Sequence, residues 1–134
     1  MPDATVRELV NEWLVRADED LRLAHKLSRE EEFPTAACFH AQQPAEKFLK
    51  AYLTATQTEF PKTHNIAYLR TLISSANAEL ATRLSEIDAL TDAAVDYRYP
   101  AEIPLPTKSD AHEAIRLAAS AADMITSALK TLGT

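Results

Sequence analysis

The chain has 134 residues, with 14 Lys and Arg against 20 Asp and Glu and a formal net charge of -6, a length that builds one domain with its own core. Its one glycine is Gly133, which excludes glycine-rich phosphate loops, dinucleotide fingerprints and nucleophile elbows and disfavours hairpin-rich β architectures. The lone Cys38 excludes a disulfide framework and a cysteine-based zinc site and fits a reducing cytoplasm, while the acidic balance argues against non-specific duplex DNA.

The first segment, about Asp3 to Ser28, carries Val6, Leu9, Val10, Trp13, Leu14, Ala17, Leu21, Ala24 and Leu27. That spacing of three and four makes one helical stripe, with Asp3 or Thr5 as N-cap. The start of the chain shows no secretory signal, and no apolar run is long enough to span a bilayer, so a cytoplasmic protein is expected.

A second helix is expected from about Pro34 to Thr56. Ala37, Ala41, Ala45, Phe48 and Tyr52 form its core stripe, which Leu49 and Leu53 widen. Pro44 removes the bond to the His40 carbonyl and is expected to kink the rod. Gln43, Glu46, Lys47 and Lys50 lie on the other side. That stripe reads either as a solvated face with a Glu46–Lys50 ion pair, or as a polar groove where Lys50 meets a phosphate and Gln43 a base or ribose.

Lys62-Thr63-His64-Asn65 then opens a third helix over about Ile66 to Ala76. Thr63 or Asn65 is a natural N-cap, and His64 serves as acid or base, or as a brace to a neighbouring helix. A fourth helix is expected from about Ala78 to Asp96. Beyond it, Asp96-Tyr97-Arg98-Tyr99-Pro100 places an Arg between two Tyr, a pattern that fits both phosphate recognition with stacking and a packed loop anchor. Three prolines between residues 100 and 106 make the connector extended. The last helix, capped by Ser109 or Asp110, runs to about Leu132, and Gly133 ends it.

The sum is an all-α, up-and-down bundle of four to five antiparallel helices in one domain, residues 1–134. The four histidines lack metal-ligand spacing, so no metal and no cofactor is expected. Phe39, Leu49 and Leu53 spread beyond the core stripe, which points to a homodimer.

The run Cys38-Phe39-His40-Ala41-Gln42-Gln43-Pro44-Ala45-Glu46-Lys47-Phe48-Leu49-Lys50-Ala51-Tyr52-Leu53 resembles the central signature of HEPN domains (higher eukaryotes and prokaryotes nucleotide-binding). Its setting is similar too: Trp13 and Ala17-Asp18-Glu19-Asp20-Leu21 before it, Thr63-His64-Asn65-Ile66 after it, then Asp96 to Pro100. Pro44 departs from the alanine usual there. The resemblance implies a compact prokaryotic helical bundle, usually a homodimer. Such a protein is often paired with a small nucleotidyltransferase in a toxin–antitoxin-like unit. Many relatives are metal-independent ribonucleases carrying an Arg followed after four to six residues by a His. That motif is absent here, so the resemblance implies a nucleotide- or RNA-binding module rather than an assigned enzyme. Its expected contacts are Gln43, Lys50, His64, Tyr97 and Arg98. A ribonuclease toxin with a non-standard site, using His64 as base, is the alternative.

Overall fold

The structure, a computed structural model, describes residues 3–30, 32–91 and 105–133. Among these the secondary structure is entirely helical. α1 spans Ala4–Arg29, α2 Pro34–Ala55, α3 Ile66–Ile73 and α4 Ala78–Arg83. A 3-10 turn covers Ser85–Ile87. α5 begins at 88 and is described through 91, and α6 spans Lys108–Thr131.

α1 starts where Asp3 accepts the Val6 N–H at 2.9 Å, as an N-cap should. Val10, Ala17 and Ala24 recur every seven residues and are buried. That seam packs on the alanine stripe of α2, where Ala37, Ala41 and Ala45 are fully inside. Small residues on both helices let the backbones approach closely. The short loop after Arg29 makes the two helices antiparallel neighbours. α2 also packs against α3 and α6, so it is the centre of the bundle and is buried on most of its circumference.

Leu49 and Leu53 are fully buried. They belong to the core cluster, not to an apolar surplus, so two of the three residues that suggested a homodimer face inward. Phe39 stays 44% exposed. α2 continues through Pro44, itself buried.

Three boundaries differ from expectation. α3 stops at Ile73 because the Ser75 hydroxyl donates to the Leu72 carbonyl at 2.9 Å, a local bond that competes with helix continuation. Asn77 then caps α4, accepting the Leu80 N–H at 3.0 Å. The single helix expected over 78–96 is broken after Arg83. Arg70 forks onto Asp88 at 2.7 and 2.8 Å and donates from Nη1 to the Ala81 carbonyl at 3.0 Å. That carbonyl would otherwise serve the next helical turn. The apolar spacing also tightens to three at Leu84, Ile87 and Leu90, all buried, and a 3-10 turn keeps such a triplet on one face.

The cap of α6 is Thr107, not Ser109 or Asp110. Thr107 Oγ1 accepts the Asp110 N–H at 3.1 Å, and Asp110 accepts the Thr107 N–H at 2.8 Å, a reciprocal capping box. At the far end Gly133 takes φ 81, the left-handed conformation glycine adopts freely. α2 ends the same way without glycine. Gln57 has φ 54, its N–H bonds the Thr54 carbonyl at 3.1 Å, and the Thr58 N–H bonds the Leu53 carbonyl at 2.9 Å. This Schellman closure turns the chain sharply into the loop that carries Phe60 and His64.

Candidate functional site

The polar stripe of α2 is not a solvated face. Glu46 and Lys50 are 4% and 7% exposed and sit one turn apart, so their side chains meet. Lys50 Nζ lies 3.4 Å from Glu46 Oε2. It is also 5.6 Å from the ring centre of Trp13 on α1 and 6.0 Å from that of Phe60, within cation–π range of both. The two rings touch at a centroid distance of 6.4 Å and a tilt of 57°. The α2–α3 loop therefore folds Phe60 back over the α1–α2 seam, and the pair of rings covers the ammonium.

The other oxygen of Glu46 reaches out of the core. His64 Nδ1–H donates to Glu46 Oε1 at 2.7 Å, while the His64 side chain is 83% exposed. His64 is placed by the start of α3, where Asn65 accepts the Tyr68 N–H at 3.0 Å and Thr63 accepts the Asn65 N–H at 3.1 Å. The Ala67 N–H is taken by Thr91 Oγ1 at 3.2 Å. The caps hold the loop, the loop holds the imidazole, and a buried carboxylate fixes its tautomer. The ring leaves Nε2 facing solvent.

Glu46 is thus the shared acceptor of Lys50 and His64. Gln43, half-buried one turn earlier on α2, makes no hydrogen bond among the described residues. Lys47, the fourth member of the stripe, pairs with Asp20 of α1 and braces the same helix pair. Tyr97 and Arg98 lie outside the described residues. Sequence spacing identified the Glu46–Lys50 pair and His64, but no local signal connects Trp13 or Phe60 with Lys50. Only the return of the α2–α3 loop brings them together.

No group of His, Cys, Asp and Glu among the described residues has the arrangement to hold a metal ion. No helix there is long and apolar enough to cross a membrane. Chemically the site offers one exposed imidazole with a fixed tautomer and a buried ion pair beneath, with the Gln43 amide one turn before Glu46 on α2.

The profile of the HEPN domain matches residues 10–127. A crystal structure of an archaeal HEPN homologue superposes with a TM-score of 0.68 at 25% sequence identity, covering 88% of this chain and 95% of that one. No curated protein matches the chain.

Proposed function

The chain belongs to the HEPN domain family, and from that premise we propose that it is a nucleotide- or RNA-binding module working through the α2–α3 face. The observation that carries this reading is the His64–Glu46–Lys50 relay. A buried ion pair is weak support for stability, because desolvation offsets its attraction. Here the pair instead fixes the tautomer of an exposed imidazole.

His64 Nε2, bare in the neutral ring, accepts from a base amino group or a ribose hydroxyl, and the Gln43 amide donates to a phosphate oxygen or meets a base edge. Lys50 acts from below: its ammonium is taken up by Glu46 and the two rings, so it supplies field and holds Glu46 rather than reaching the ligand. Tyr97 and Arg98 complete the proposed contact set from the connector. The module works as a homodimer, for which exposed Phe33 and Phe39 at the start of α2 provide apolar contact. Its protein partner is a small nucleotidyltransferase in a toxin–antitoxin-like pair within the cytoplasm.

Titrating mononucleotides and short single-stranded RNA against wild type, His64→Ala and Gln43→Ala tests this. Both side chains stand at or near solvent, so the variants keep the fold. Each is expected to weaken binding about tenfold, the value of one charge-assisted or amide hydrogen bond. Absence of binding by wild type at millimolar ligand, or binding by both variants as tight as that of wild type, refutes the reading.

The same relay favours a second reading. A carboxylate holding Nδ1–H of an exposed imidazole leaves Nε2 able to take a proton from a ribose 2′-hydroxyl, as a general base does. Under that reading the protein is a metal-independent ribonuclease, and His64→Ala abolishes cleavage of RNA in the presence of chelator. Intact RNA after prolonged incubation with wild type decides for the binding module.

A further inference from the structure

A second polar recess lies on the opposite side of α2, where the ends of α2 and α6 meet α4. It encloses about 210 Å³. Its inner wall holds Tyr52, which is only 2% exposed. Asn77 Nδ2 donates to the Tyr52 hydroxyl at 3.2 Å, and Asn77 Oδ1 is already occupied by the Leu80 N–H at 3.0 Å. The phenol oxygen is thus used as an acceptor, and its own O–H proton meets no acceptor among the described residues. The hydroxyl lines the recess and has that proton to donate to a ligand there.

The rest of the lining has the same polarity. Ser127, one turn before Thr131 on α6, contributes a hydroxyl. Arg83, at the end of α4 and exposed, has no acidic partner among the described residues. Glu79 stands in the same wall four residues before Arg83, yet the two form no ion pair. Against these groups, Met124, Ala128 and Leu132 give the recess an apolar side.

We infer that this recess binds a small organic carboxylate, with the anion between Arg83, the Tyr52 hydroxyl and Ser127 and an apolar body on α6. Three residues able to donate line one recess, and a guanidinium is the side chain best matched to a carboxylate. Glu79 at the rim repels an anion, which keeps the affinity modest. The site is independent of the His64 face and does not rest on the reading given above.

Benzoate and its neutral isostere benzamide are the probes, titrated into the isotopically labelled full chain while following the Asn77 side-chain amide and the Ser127 backbone amide. Benzoate is expected to give saturable shifts with a millimolar dissociation constant. Arg83→Gln, an exposed substitution that leaves the fold intact, is expected to weaken it about tenfold. Tyr52→Phe, which removes only the hydroxyl, is expected to do the same, and its thermal unfolding reports separately on the fold. The absence of saturable shifts in wild type, benzamide binding as tightly as benzoate, or Arg83→Gln binding like wild type each overturns the assignment.

Discussion

Glu46 Oε1 and His64 Nδ1 are 2.7 Å apart, yet the carboxylate side chain is 5% exposed and the imidazole side chain 83%. One hydrogen bond therefore runs from the core of the bundle to its surface. A buried acid next to a buried base, Lys50, has a partner at each oxygen and lies beneath the surface. The surface imidazole is the end of the chain of contacts, and its orientation is set from inside.

That arrangement predicts non-additive stability. Removing Glu46 leaves Lys50 buried without a counter-charge, and removing Lys50 leaves the Glu46 charge with only the His64 hydrogen bond; breaking a buried pair costs about 3–5 kcal/mol. Glu46→Gln and Lys50→Met should each destabilise strongly. The double variant should lose less than the sum of the two, with a coupling of about 1–3 kcal/mol. Urea denaturation of all four proteins measures this, and simple additivity contradicts the buried pair.

The tautomer of His64 is a second consequence. With Glu46 accepting from Nδ1–H, neutral His64 should carry its proton on Nδ1. Long-range nitrogen–proton correlation spectra distinguish the two forms directly. In Glu46→Ala the constraint is gone, and the Nε2–H form that free imidazole prefers should grow in.

Gln57 occupies a left-handed position with φ 54, where a side chain costs about 1–2 kcal/mol relative to glycine. Gln57→Gly should raise stability by about 1 kcal/mol and leave the Schellman bonds in place. Thermal melting gives the sign; a lower melting temperature would mean that the Gln57 side chain contributes packing to the shallow recess beside Val6 and Leu9.

Cys38 should be inert in the folded protein. Burial, and secondarily the negative charge of Asp110, push its thiol from 9.0 up to about 11. The thiolate is the nucleophile. Iodoacetamide labelling at pH 8 should therefore be slow when folded and rapid in urea. The folded state disfavours the thiolate, so stability from this group is intact below about pH 9 and declines as pH rises toward 11. Fast labelling of native protein at pH 8 contradicts this.

Pro44 lacks the N–H that would bond the His40 carbonyl. A bend in α2 near residues 40–44 is expected, and Pro44→Ala should straighten the rod with a stability change of at most a few kcal/mol. Crystal structures of the two proteins, compared by the local axis angle of α2, test it.

The sequence by itself determined the helical class, the seam of α1, the alanine stripe of α2 and the pairing of Glu46 with Lys50. Each rests on contacts three or four residues apart, which helical periodicity encodes directly. It also marked His64 by its place at a helix start. Tertiary structure alone decided that the α2 stripe is buried. The periodicity shows which residues share a face, but not that the rings of Trp13 and Phe60 return to cover it. It likewise broke the helix expected over residues 78–96, because Arg70, eleven residues before Ala81, takes that carbonyl. Local propensity reports what a segment prefers on its own; a charge inside a core or a carbonyl taken by a distant guanidinium depends on neighbours that only folding supplies.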